Sequence, residues 1–197
     1  MAKKTIFMRQ SEGRPFERRN MIKNINGDAL KTKSTLIVHQ ANCIGVMGAG
    51  IAKQIKAQLL DEEAFNLYQV VCKEYGASLL GKVQFLRTVD NRFVANVFGE
   101  NIPTERGIDT NYEALRQGLE KVYLMAIEKG WDVTIPGLIG CGLAGGDWNY
   151  VLHDIIEPIF ADGEVTLTIA YFFEEDFKKY VVGNDGSIDG KTEELGG

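Results

Sequence analysis

The residues of this chain with the clearest capacity for chemistry stand at the end of a short apolar run and just after it. Residues 35–39 read Thr-Leu-Ile-Val-His, and Asn42 follows His39 by three positions. An imidazole at this place can position or deprotonate water, or protonate a leaving oxygen, close to neutral pH. A histidine at the end of an apolar strand is also a common core residue, so a structural role and a catalytic role both fit His39.

Glycine is concentrated beside these residues and in a second window further along the chain. Of the 22 glycines, eight lie within residues 45–50 and 137–146, and the chain has only four prolines. Each window follows a predicted strand and precedes a predicted helix, where free amide groups and the helix dipole favour a phosphate. Two such loops in one small domain predict a diphosphate that is held from two sides.

Neither window matches a common phosphate motif in its usual setting. Gly45 and Gly50 have the spacing of a P-loop, but Ile51-Ala52 stand where that motif needs Lys and Ser or Thr. Residues 140–145 spell G-x-G-x-x-G, yet they lie late in the chain, and the next acids at a strand end come about 30 positions later. A P-loop and a dinucleotide-binding fold are therefore both disfavoured.

The remaining composition excludes several classes of protein. With 197 residues, 45% of them apolar, the chain has the composition of one ordinary globular domain. Three cysteines without a CxxC pair argue against a disulfide scaffold and favour a reducing cytoplasm. Two histidines far apart in sequence argue against a zinc site, and we expect no metal and no bound cofactor. No apolar run reaches the roughly 18 residues of a membrane span, so we expect a cytoplasmic protein without a membrane partner.

Charge is distributed unevenly along the chain. The formal net charge is -5, but residues 3–23 hold seven Lys or Arg against two acids. We predict a basic extension over residues 1–20, one folded domain over residues 21–181 and a disordered tail over residues 182–197. The extension fits either a solvated arm or a contact with nucleic acid, and the acidic remainder of the chain favours the solvated arm.

The hydrophobic patterns predict strands that alternate with helices. Strands are predicted at residues 21–26, 35–39, 82–88, 92–98, 131–136 and 165–172. Helices are predicted after residue 50, from a cap at Asp61 to Gly76, from a capping box of Thr110 and Glu113 to Gly130, after residue 146, and at residues 174–181. This order predicts an α/β protein, a three-layer α/β/α sandwich around a mixed, largely parallel central sheet.

Several short segments, in their order along the chain, resemble the macro domain family. They are Gly27-Asp28, residues 37–42 with residues 48–52, residues 68–82, and residues 135–143. The resemblance covers about residues 21–181, and it is closest to the branch of ADP-ribose 1″-phosphate phosphatases. Separated motifs in the right order are far more specific than either glycine window alone.

This resemblance implies that an ADP-ribose unit lies across the carboxyl edge of the sheet. Asp28 would accept a hydrogen bond from the adenine amino group, Phe172 would stack on adenine, and Asn42 would bind the distal ribose. The two loops would hold the distal ribose and the phosphates through Gly48, Ala49, Gly50, Ile51, Gly140, Cys141, Gly142, Leu143, Ala144 and Gly145. A turn aspartate, a core aromatic and a loop-stabilising amide are the ordinary alternatives for the first three residues.

The same branch implies hydrolysis of the terminal phosphate of ADP-ribose 1″-phosphate, with His39 and Asp147 as the catalytic residues. Asp147 also suits the N-cap of the helix that follows the second window. Two other functions fit the resemblance. One is a module that only binds ADP-ribose or a related nucleotide signal, and the other is a hydrolase that removes ADP-ribose from protein or nucleic acid.

The chain departs from the family pattern at two places. Another branch pairs a lysine before the long helix with an aspartate in the second loop, where this chain reads Gly99-Glu100-Asn101 and Ala144. The resemblance therefore implies that this lysine–aspartate mechanism is absent. The small Ala144 side chain implies more room at the distal ribose, which suits an added 1″-phosphate.

Overall fold

A computed structural model of the chain describes residues 21–104, 106–161 and 163–183. The predicted basic extension over residues 1–20 lies outside the described residues, as does the predicted disordered tail over residues 182–197 apart from Val182, which ends a helical stretch, and Gly183. Within the described ranges the predicted order of strands and helices is confirmed. None of the helices described in these ranges is both long and apolar enough to cross a membrane.

Six strands form one sheet. They are β1 (Ile22–Asn26), β2 (Leu36–Asn42), β3 (Val83–Arg87), β4 (Phe93–Glu100), β5 (Val133–Pro136) and β6 (Leu167–Tyr171). Their order across the sheet is β1-β6-β5-β2-β4-β3. Only the β3–β4 pair is antiparallel. Five strands therefore bring their carboxyl ends to one edge, where ligands of open α/β sheets bind.

The helices that connect these strands or follow the last of them differ in length. They are α1 (Gly50–Gln58), α2 (Glu62–Tyr75), α3 (Tyr112–Lys129), α4 (Trp148–Tyr150), α5 (Glu157–Phe160) and α6 (Glu174–Phe177). A π-helical stretch (Val151–Ile156) joins α4 to α5, and a second one (Lys178–Val182) extends α6. As predicted, the Asp61 carboxylate caps α2, and Gly130 ends α3 with a φ of 66° that favours glycine.

The capping box predicted from Thr110 and Glu113 is wrong. The N-cap of α3 is Asn111, whose side-chain oxygen accepts a hydrogen bond from the Ala114 N–H. A bridge to Glu100 at the end of β4 draws Thr110 to the edge of the sheet instead. There its hydroxyl donates to the Gly140 carbonyl, so this residue supports a loop and not a helix end.

Helices cover both faces of the sheet. Successive side chains of a strand point to opposite faces, so Leu36 and Val38 of β2 enter one core and Ile37 enters the other. The larger core packs the sheet against α3, α4 and α5, and the smaller core packs it against α1 and α2. The predicted three-layer α/β/α sandwich with a mixed, largely parallel sheet is confirmed.

Candidate functional site

A cavity of about 700 Å³ opens at the carboxyl edge of the sheet. It lies between the first loop, defined as residues 43–49, and the second loop, defined as residues 137–147. The last residues of β2, from His39 to Asn42, also line it. The volume falls within the range of roughly 300–1,000 Å³ typical of small-molecule sites.

Most of the predicted site residues meet in this cavity. Those that line it are Asp28, His39, Asn42, Gly48, Ala49, Gly50, Ile51, Gly140, Gly142, Leu143, Ala144 and Phe172. Cys141, Gly145 and Asp147 are not among its lining residues. The Asp147 carboxylate is exposed and caps α4 by accepting the Asn149 N–H at 2.9 Å. Its catalytic role stays a prediction that its position does not favour.

The thiol of Cys141 is not set up as a nucleophile. Its Sγ donates toward the Ile139 carbonyl at 3.3 Å. Burial, and then the negative charge of Asp147, raise the pKa of this thiol to about 12. Because the thiolate is the reactive form, Cys141 is unreactive near neutral pH.

The β1–β6 end of the cavity combines a carboxylate with exposed aromatic rings. One Asp28 oxygen accepts a hydrogen bond from the Leu30 N–H at 2.9 Å. Asp28 therefore stabilises the turn after β1 and also lines the cavity. Phe172 is 59% exposed, not a core residue, and its ring meets that of Phe173 edge to face at 5.1 Å between centroids. Both phenyl rings line the cavity and leave a face open for stacking.

Helix α1 starts at the cavity wall without a capping side chain. Its N-cap is Ala49, which has no side-chain hydrogen bond to the first turn. Gly50, Ile51 and Ala52 of that first turn line the cavity. The first amide groups of a helix have no partner within it and carry the positive end of the dipole. This arrangement leaves them available to a phosphate oxygen.

Asn42 organises the first loop through both ends of its amide. Its Nδ2 donates to the Val46 carbonyl at 2.7 Å, and its Oδ1 accepts from the N–H groups of Ile44 and Val46. The Tyr68 hydroxyl donates to the same Oδ1 at 3.1 Å. The loop-stabilising role is therefore present, and the side chain also lines the cavity.

His39 lies in the wall of the cavity and is held neutral. Its side chain is fully buried, and its Nε2 is 2.7 Å from Asn96 Oδ1. Asn96 Nδ2 in turn donates to Gln84. Burial lowers the pKa of His39 from 6.5 to about 4, against the smaller raising effects of Asn96 and the Gln40 backbone. The imidazole therefore carries no charge at neutral pH.

The second loop depends on glycines for its path. Gly145 has a φ of 68°, and a Cβ built on it would press against the Gly107 carbonyl oxygen. A hydrogen bond from Gly146 N–H to the Gly140 carbonyl closes the loop at 3.0 Å. The Gln40 side chain donates to Thr110 at 3.0 Å, and Thr110 donates to that same carbonyl. The loop is thus fastened to the end of β2.

We expect Gly145→Ala to destabilise the protein by about 1–2 kcal/mol and to weaken ligand binding about tenfold. Gly145 does not line the cavity, so the effect acts through the backbone of the loop. Gly142→Ala is the matched control, because its Cβ would meet nothing within 4 Å and its φ lies outside the left-handed region. Thermal denaturation should separate the two variants. Equal melting temperatures would contradict the assigned role of Gly145.

The sequence reasoning missed several residues that line the cavity. They are Gln40, Glu100, Pro103, Phe173 and Asp176, among others. Glu100 is only 9% exposed, and burial, followed by the charge of Asp109, raises the pKa of its carboxyl. Glu100 lies beside Asn42 because β2 and β4 pair in that register. The spacing of these residues along the sequence does not reveal this pairing. The one signal in the sequence was that Glu100 lies in the segment Gly99-Glu100-Asn101, which corresponds to the region where another branch of the family has a lysine.

The charged groups of the cavity are acidic. Asp28, Glu100 and Asp176 line it, and no Lys or Arg does within the described ranges 21–104, 106–161 and 163–183. A phosphate in this cavity would therefore rely on the amides of α1 and of the second loop. Backbone amides and helix termini can hold phosphate in this way without a cationic side chain.

Fold and cavity together define a three-layer α/β/α domain with a cavity at the carboxyl edge of its sheet. A comparison with family models matches residues 38–155 to the Macro domain. The chain belongs to the macro domain family.

Its relatives divide between two named activities. The chain is 40% identical over 145 residues to a DNA ADP-ribosyl glycohydrolase of Mycobacterium tuberculosis, a match that covers 69% of this chain and 38% of that protein. It is 31% identical over 113 residues to an ADP-ribose 1″-phosphate phosphatase of Saccharomyces cerevisiae, covering 53% of this chain and 63% of that one. The chain therefore spans less than two thirds of either relative.

Solved structures share the fold. The macrodomain of Mycobacterium tuberculosis DarG superposes with a TM-score of 0.65 and 26% identity, over 79% of this chain and all of that one. A Bacteroides thetaiotaomicron protein of unknown function superposes with a TM-score of 0.66 and 29% identity, over 77% of this chain and 98% of that one.

Proposed function

We propose that this protein binds ADP-ribose across the carboxyl edge of its sheet and hydrolyses the bond between the distal ribose and its substituent. The observation that carries the proposal is the uncapped start of α1 opposite the second loop in one cavity. Each element offers backbone amides to a phosphate, as the diphosphate of ADP-ribose requires.

The spacing of the remaining groups supports this ligand. Asp28 follows β1 and Phe172 follows β6, whereas Asn42 ends β2, three strand positions away from β1. Strands about 4.8 Å apart give a span of roughly 14 Å, enough for a dinucleotide-sized ligand laid across the edge. In this pose adenine meets Asp28 and the Phe172–Phe173 rings, and the distal ribose meets Asn42.

Two leaving groups are consistent with this pose. The first is phosphate from ADP-ribose 1″-phosphate, the reaction implied by the sequence. The small Ala144 side chain in the cavity lining supports it, as does the similarity to the yeast phosphatase. In this reaction the neutral His39 imidazole would receive a proton from the attacking water.

The second leaving group is a DNA base, from which ADP-ribose would be removed. The Mycobacterium relatives named DNA ADP-ribosyl glycohydrolase support it, at the higher identity of 40%. The cavity lining supports it further, since among the described residues no Lys or Arg lines the cavity to offset the charge of an added 1″-phosphate. We favour this reaction.

Titration calorimetry with ADP-ribose tests the binding proposal, with ADP as the control ligand because it lacks the distal ribose. We expect ADP-ribose to bind at least tenfold more tightly than ADP. No heat with millimolar ADP-ribose would contradict the proposal. Phosphate release from ADP-ribose 1″-phosphate, and loss of ADP-ribose from a modified DNA oligonucleotide read by mass spectrometry, then identify the leaving group. If neither reaction occurs, the protein binds ADP-ribose without hydrolysing its derivatives.

A further inference from the structure

Glu100 is a buried carboxyl group in the cavity without a partner among the described residues. It is the last residue of β4, pairs in register with Asn42 and is 9% exposed. Across the described ranges its carboxyl oxygens form no hydrogen bond or ion pair, whereas its backbone carbonyl accepts the Cys43 N–H. A buried carboxyl group normally has hydrogen-bond or ion-pair partners. An unpaired carboxyl group in a ligand cavity therefore indicates a role in binding the ligand or in its chemistry.

The surroundings of Glu100 favour its protonated form. Burial is the larger cause of its raised pKa, and Asp109 is the second. The other titratable groups that interact with it are the Cys43 thiol, with a pKa raised to about 11, and the Tyr68 hydroxyl, with a pKa raised further still. Both are neutral at pH 7, and so is His39. No cation among the described residues offsets this environment.

We propose that Glu100 is the acid–base residue of this site and that it serves the glycosidic bond from the distal ribose to the base in the reaction favoured above. This inference rests on the proposed function and adds the residue that carries its proton transfer. The protonated carboxyl can donate its proton to the leaving base, and the carboxylate that remains stabilises positive charge at the anomeric carbon during glycoside cleavage.

The proton balance of the reaction is as follows. The bond from the anomeric carbon to the base breaks, its electron pair goes to the base, and the base takes the proton of the Glu100 carboxyl. Water adds its oxygen to the anomeric carbon and returns one proton to the Glu100 carboxylate. The products are ADP-ribose and the restored base, and Glu100 regains its starting form.

Glu100→Gln tests the inference with little change in shape. We expect turnover of an ADP-ribosylated DNA oligonucleotide to fall by about 10²–10⁴-fold, the range of general acid–base catalysis. Affinity for ADP-ribose should change less than threefold. Glu120→Gln, which makes the same substitution on the exposed surface of α3, should leave both quantities unchanged.

Further readouts separate the possible results. Wild-type turnover should decline as pH rises through the Glu100 pKa, and Glu100→Asp should retain part of the activity. Wild-type failure to bind ADP-ribose would contradict the proposed function itself. Binding of ADP-ribose without cleavage of the DNA adduct would overturn the favoured reaction together with the inference. Cleavage by wild type with Glu100→Gln turnover within threefold of wild type would overturn only the inference. Circular dichroism and a melting curve establish that the variant is folded.

Discussion

Asn42→Asp is expected to lower the affinity for ADP-ribose about 100-fold at pH 7.5, which corresponds to about 2.7 kcal/mol. The change replaces the Nδ2 donor by an oxygen that faces the Val46 carbonyl at the former 2.7 Å contact. Two oxygens without a proton repel each other, and a largely buried negative charge without a cationic partner costs additional free energy. The first loop should then leave its place beside α1, and with it one wall of the cavity.

The proposed cause makes a further prediction about pH. A protonated aspartate carries an O–H that can donate to the Val46 carbonyl, so binding by Asn42→Asp should recover in part between pH 7.5 and pH 5.5. Tyr68→Phe is the graded control, because it removes one hydrogen bond to Asn42 and should cost about 1 kcal/mol without recovery at low pH. Calorimetry at both pH values gives the result. Wild-type affinity in Asn42→Asp at pH 7.5 would contradict this role of Asn42.

Much of this fold could be predicted from the sequence because its signals are local. Asp61 begins α2 and Gly130 ends α3, each through contacts with residues only a few positions away in sequence. The alternation of strands with amphipathic helices then dictates parallel pairing. The two glycine loops were identified for the same reason, since each lies between a predicted strand and a predicted helix.

The parts that could not be predicted depend on contacts between residues far apart in sequence. Thr110 was predicted to cap α3. The backbone bridge to Glu100 instead places Thr110 where its hydroxyl donates a hydrogen bond to the Gly140 carbonyl in the second loop. The proximity of Glu100 to Asn42 follows from the register of β2 against β4, which neither segment reveals alone. Most residues predicted through the family resemblance do line one cavity, because the resemblance already contains such long-range information.

His39 illustrates why a residue type does not determine its state. Spacing indicated a histidine near a ligand loop, which is correct for its position in the cavity wall. Its protonation depends instead on complete burial, which outweighs the hydrogen bond to Asn96. A buried neutral imidazole can accept a proton or hold an amide in place, but it cannot neutralise a phosphate.

The burial of His39 should make the stability of the protein depend on pH. The pKa of His39 is lowered from 6.5 to about 4 in the folded protein, so between these values the unfolded chain binds more protons. The free energy of unfolding contributed by His39 is therefore fully present above pH 6.5 and is lost as pH falls toward 4. At about 1.4 kcal/mol for each pH unit, the loss amounts to about 3 kcal/mol.

His39→Gln isolates this contribution, because glutamine keeps a polar side chain that does not titrate. Urea denaturation of both proteins at pH 7.5, 6, 5 and 4.5 gives the free energy of unfolding at each pH. All other titratable groups are the same in both proteins, so their contributions largely cancel in the difference. We expect wild type to lose its advantage over His39→Gln progressively below pH 6.5. Parallel curves would mean that the pKa of His39 is the same in the folded and the unfolded protein, and burial would then not keep the imidazole neutral below pH 6.5.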